Sequence, residues 1–89
     1  MNSNQDSALT FPCRFPVKAM GLADPDFEDL VAAIARRHAP DVARDDLRTR
    51  ASGGGKYVSV TVTINATSRA QLDNLYRELT ACSRVLMAL

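Results

Sequence analysis

Apolar and polar positions alternate without a break along Tyr57 to Ala66, YVSVTVTINA. Val58, Val60, Val62, Ile64 and Ala66 share one side, and Tyr57, Ser59, Thr61, Thr63 and Asn65 share the other. A period of two carried by β-branched residues predicts a strand with one buried and one polar face. Such a strand belongs in the middle of an antiparallel sheet. Upstream, Phe15, Val17 and Ala19 alternate with Pro16, Lys18 and Met20. Proline cannot donate to a ladder, so this first strand is expected to begin pairing near Phe15 and to end at Gly21.

The period then changes. Phe27, Leu30, Val31, Ile34 and Ala35 recur at helical spacing, which marks one apolar stripe. Asp24-Pro25 reads as the helix start, with Asp24 as cap and Pro25 in the first helical position. Asp26, Glu28 and Asp29 follow where the helix dipole favours negative charge. Arg36, Arg37 and His38 close the helix, and Pro40 prevents continuation. Leu47, Thr49 and Ala51 alternate with Arg48 and Arg50, a charged pattern suited to a sheet edge. Gly53, Gly54 and Gly55 form the reversal into the central strand. A second helix follows, with the stripe Leu72, Leu75, Tyr76 and Leu79. Ser68 and Gln71 fit a capping box, and Arg69, Asp73 and Arg77 stand at spacings that pair on a wet helix face. A last strand over residues 84–89 is expected to turn Val85, Met87 and Leu89 inward, and Leu86 and Ala88 outward.

The element order is β-α-β-β-α-β. With right-handed crossovers this makes an α+β sandwich: a four-stranded antiparallel sheet of order 4-1-3-2 with both helices on one face. Residues 1–10 are polar and aperiodic and read as a disordered tail; residues 11–89 read as a single domain.

Composition narrows the functional classes. The chain has 89 residues, 46% hydrophobic and 24% charged, with a formal net charge of +1. Those values suit one small globular domain and give no global field for nucleic acid or anionic lipid. No run approaches a membrane span, and Met1 to Thr10 lacks the pattern of a secretory leader. Cys13 and Cys82 are far apart and outside any CxxC pair. The expected setting is the cytoplasm, with both thiols reduced. One histidine and two scattered cysteines do not make a tetrahedral metal site, and no cofactor motif is present. The glycine run before Lys56 joins two strands, unlike a phosphate loop, which runs from strand to helix. His38 beside Arg36 and Arg37 is expected to cap helix carbonyls. No nucleophile–base pair stands out, so the expectation is a protein without enzymatic activity.

With both helices on the valine face, the opposite sheet face is left open. Alternation places Lys18, Met20, Tyr57, Ser59 and Thr61 there, with Arg48 and Arg50 on the next strand. Exposed Met and Tyr beside a lysine make this face a candidate docking surface. Nucleic acid is not the expected partner, because Val60 and Thr61 stand where stacking aromatics are needed.

Phe11-Pro12, Phe15, Lys18, Met20-Gly21, Arg37-His38-Ala39-Pro40, Tyr57, Ser59-Val60, Ile64-Asn65-Ala66-Thr67, Leu75-Tyr76 and Glu78-Leu79 follow one another in an order that resembles the YbeD-like family of small uncharacterised bacterial proteins. The resemblance spans residues 11–89. It implies a ferredoxin-like domain similar to the ACT-type regulatory domains of amino-acid enzymes, with a loose link to lipoate metabolism. ACT-type domains bind small effectors near the turn between first strand and first helix, here Met20 to Pro25, where Gly21 would allow close backbone approach. They also pair through sheets or helices, so a homodimer fits the resemblance. The expectation is therefore a stand-alone regulatory or adaptor domain that binds a protein partner through the open face or that turn. The alternative is an ACT-type sensor of an amino acid or related metabolite. The candidate surface is Lys18, Met20, Gly21, Tyr57, Ser59 and Thr61.

Overall fold

The computed structural model describes residues 9–89. The alternation around the valines becomes β3 (Tyr57–Ala66), whose Val60, Val62, Ile64 and Ala66 are fully buried. It pairs on one side with β1 (Cys13–Leu22) and on the other with β2 (Leu47–Ser52). A two-residue β4 (Met87–Ala88) pairs with the outer edge of β1. All pairings are antiparallel and the strand order is β2-β3-β1-β4, the order expected from the element sequence. Helices α1 (Phe27–His38) and α2 (Arg69–Ala81) pack on the valine side. Phe27, Val31, Ile34, Leu75 and Leu79 meet Val17, Val60, Val62 and Ile64 in one core. Burying each of these side chains contributes about 1.5–3 kcal/mol, an upper figure because the unfolded chain is partly collapsed.

Several expectations need correction. Strand β1 runs from Cys13, not Phe15: Cys13 and Arg14 already pair with Ala66 and Asn65. Gly21 lies inside the strand opposite Val58 instead of ending it. Leu9, within the expected tail, touches the core; residues 1–8 of that tail lie outside the described residues. Helix α1 starts at Phe27, after Asp26, and neither aspartate caps it with its side chain. Both carboxylates instead hold Arg84, at 2.7 Å from Asp26 and 3.3 Å from Asp24. A guanidinium fork offers a carboxylate stronger hydrogen bonds than a neutral amide does.

A further correction concerns β4. Val85 is buried, but Met87 and Leu89 are exposed, at 51% and 63%, while Ala88 packs on the core. The strict alternation fails between Val85 and Ala88. Leu86 N donates to Met20 O while Met87 is itself the register partner of Met20. Two residues of the outer strand thus share one position of β1, and a one-residue slip reverses every later side chain.

The two helices are clasped at one end. Arg37 and His38 of α1 both contact the Glu78 carboxylate of α2, His38 Nε2 at 2.7 Å. His38 thus bridges helices instead of capping carbonyls. Its own carbonyl accepts from Gln71 Nε2 at 2.8 Å. Ser68 caps α2 as expected, accepting from Gln71 N at 3.1 Å. The Gln71 carbonyl oxygen, however, accepts from Thr67 N instead of closing the box on Ser68. Arg77 donates to Asn74.

Arg37 and then His38 hold the Glu78 carboxyl below its usual range. Arg84 does the same for Asp26. At Asp46 the Ala43 amide acts first and Arg14 second. A carboxyl depressed in the folded state stabilises above its unfolded value and loses that contribution as pH falls through the folded one. The melting temperature should therefore fall as pH drops from about 5 toward 2, below the ordinary carboxylate values near 4. Glu78→Gln should melt lower at neutral pH and show a shallower acid decline. An acid decline as steep as the native protein's would remove the clasp from this account.

Candidate sheet-face docking site

The face opposite the helices is uncovered by any described element. The ladder registers arrange its side chains in rows across the strands. One row reads Leu89, Lys18, Thr61, Arg48: Lys18 pairs with Thr61, Thr61 with Arg48, and Lys18 exchanges two backbone hydrogen bonds with Leu89. The next row reads Met87, Met20, Ser59, Arg50. Beyond it stand Leu22, Tyr57 and Ser52. On the other side Pro16 faces Thr63, and Arg14 faces Asn65.

Lys18, Arg48, Thr49, Arg50, Ser59 and Thr61 line a shallow depression of about 420 Å3. A second depression, about 310 Å3, continues from Arg48 and Thr61 toward Asp45 and Asp46. Among the described residues, Lys18, Arg48 and Arg50 form no ion pair. Two of the nearby acids are committed elsewhere. Asp46 binds Arg14 at 2.6 Å and accepts from Ala43 N. Glu28 accepts from Thr49 Oγ1 on the helix side at 2.7 Å. Three cations thus surround two hydroxyls, with neighbouring strands about 4.8 Å apart. Guanidinium and ammonium groups so placed can take carboxylate oxygens, with the hydroxyls as further donors.

The sequence-derived candidates divide into three groups. Lys18, Ser59 and Thr61 come together at the depression, and Met20 lies beside it. Tyr57 stands in the following row, engaged by its own turn: Lys56 lies over its ring at 5.7 Å, and a Cβ on Gly53 would meet that ring at 2.9 Å. Gly21 is not on this face. It is buried on the helix side, where an added Cβ would lie 2.5 Å from the Phe27 ring and 2.6 Å from Arg84 O. Its missing side chain admits the protein's own core, not a ligand. Arg48 and Arg50 belong to the site although their pattern first reads as edge protection. Met87 and Leu89 stand on this face in place of Ala88, which packs on the core, while Leu86 is exposed as expected.

A four-stranded antiparallel sheet backed by two helices, with one basic and hydroxylated face exposed, defines a small ferredoxin-like βαββαβ domain of the open-faced kind. The solution structure of protein HP0495 from H. pylori has the same fold. The two align with a TM-score of 0.71 at 12% identity, over 100% of this chain and 94% of that one. The chain belongs to the YbeD-like family described as a protein of unknown function (DUF493), which it matches over residues 6–89. It is 44% identical to a UPF0250 protein of Chromobacterium violaceum over 89 residues, the whole of both chains. It is 42% identical to one from Paraburkholderia phytofirmans, again over 100% of each. A UPF0250 protein of Neisseria gonorrhoeae is 42% identical over 97% of this chain and 94% of its own. Among the described residues no helix is long and apolar enough to cross a membrane.

Proposed function

We propose that this domain is a non-catalytic regulatory or adaptor module of the cytoplasm that binds an acidic protein partner through its open sheet face. One observation carries the reading: among the described residues, Lys18, Arg48 and Arg50 have no ion-pair partner, and they stand around Ser59 and Thr61 on that face. Cations left unpaired on an open face attract and orient an anionic surface at little desolvation cost. The face favours protein over nucleic acid because its central-strand positions Lys18, Met20, Ser59 and Thr61 offer no stacking ring, and Tyr57 is engaged by Lys56.

The turn between β1 and α1 supports ACT-type effector binding less well. Arg84 spans its two aspartates, and Phe27 fills the space beside Gly21. The domain's own groups therefore take up part of the turn and leave a small depression of about 140 Å3 lined by Leu22, Asp24, Ser83, Arg84 and Leu86.

Affinity capture with the native protein and with Lys18→Glu/Arg50→Glu tests the sheet-face reading. The double reversal should weaken retention of the specific partner at least about tenfold, and added salt should weaken the native interaction. The same partners retained equally by both proteins would contradict it.

A further inference from the structure

On this sheet the chemistry changes mainly across the strands. Toward β2 the outward positions are Arg48 and Arg50; on β3 they are the half-buried Ser59 and Thr61; on β4 and its extension they are Met87 and Leu89. Strand β1 contributes Lys18 and Met20 between hydroxyl and apolar columns. The two flanks, one cationic and one apolar, are separated by three strand spacings, about 14 Å. Met87 and Leu89 are 51% and 63% exposed, so the apolar flank is available for contact.

A single extended strand running along β1 and β3 cannot satisfy both flanks, because its sheet-facing side chains all fall in one line. A helix is about 10–12 Å wide with its side chains and presents different chemistry along its two sides. Resting on the proposed docking role of this face, we propose that the bound segment is an amphipathic α-helix of the partner, acidic along one flank and apolar along the other, lying along the strands. Its carboxylates meet Arg48, Arg50 and the Lys18 ammonium. Its apolar side chains meet Met20, Met87 and Leu89. Methionines suit such a contact because their unbranched thioethers adapt to differently shaped partners, and the Lys18 stem extends the apolar floor.

The test uses 15N-labelled protein, residues 1–89, and three synthetic peptides of about four helical turns. The first has glutamates on one flank and leucines on the other. The second has the same composition with the flanks scrambled. The third is acidic, with alanine in place of leucine. The first should shift the amides of both Arg48–Arg50 and Met87–Leu89 and bind about tenfold more tightly than the other two. Met87→Ser/Leu89→Ser should bring it down to the level of the third. Arg48→Glu/Arg50→Glu should remove binding of all three, while amide positions remote from the face stay unchanged. Equal binding of all three peptides would overturn the two-flank helix and leave the acidic docking role standing. No binding by any acidic peptide at millimolar concentration would overturn both. Tighter binding of a single-stranded oligonucleotide would also overturn both. Shifts at Met87 and Leu89 on concentrating the protein alone, with none added by peptide, would assign the apolar flank to a second copy and overturn the inference.

Discussion

Gly21→Ala is expected to destabilise the domain by about 3 kcal/mol, the upper part of the usual range for overpacking a core. The added methyl would sit 2.5 Å from the Phe27 ring and 2.6 Å from Arg84 O. The ring can shift only by disturbing a side chain that is 1% exposed at the head of α1. The carbonyl can shift only by moving the backbone that leads into β4. Small domains are stable by about 5–15 kcal/mol, so one methyl would remove a large share. Gly54→Ala is the control. Gly54 has φ of 67° and no heavy atom within 4 Å of an added Cβ, so its cost is that of backbone conformation alone, about 1–2 kcal/mol. Urea denaturation of the two variants should separate them, with Gly21→Ala the more affected. Equal midpoints would mean that β1 and α1 are not packed as described.

Leu75→Ala should cost about 2–5 kcal/mol, the range for deleting a large aliphatic side chain from a core. Leu75 is fully buried on α2 between the helix pair and the sheet. In a domain of this size each kcal/mol lowers the melting temperature by about 4–8 °C, so the variant should be largely unfolded at moderate temperature. Met87→Ala, on β4, should change stability by less than about 0.5 kcal/mol, because its side chain is exposed. A Met87→Ala loss comparable to that of Leu75→Ala would restore the alternation read directly from the terminal strand and remove Met87 from the open face.

The sequence made the centre of the fold legible because local periodicity and tertiary burial agree there. Every inward residue of the alternating run from Val58 to Ala66 is buried, and the strand order follows from the element order. Periodicity failed where a distant partner intervened. Asp24 has the chemistry of a helix cap, but Arg84, 60 residues away, takes its carboxylate. At β4 a two-residue strand is too short for alternation to fix a register, and the irregularity at Leu86 turned Met87 and Leu89 outward. The same reason governs the site. Arg48 and Arg50 were visible as outward arginines on an edge strand. Their availability depends on Asp46 being held by Arg14 and Glu28 by Thr49, pairings across the chain that spacing does not encode. Lys18, Ser59 and Thr61 were found because they lie on the two strands whose alternation was clearest.

The central claim is that partners dock on the open sheet face and not on the helices. Site-specific photocrosslinking tests it most directly, with a photoreactive residue placed at Ser59 on the open face or at Asp73 on the exposed outer side of α2. A partner crosslinked from position 59, absent from position 73 and lost when Lys18→Glu/Arg50→Glu is added, is the predicted result. Crosslinks from position 73 alone, or from position 59 unaffected by the charge reversals, would contradict it.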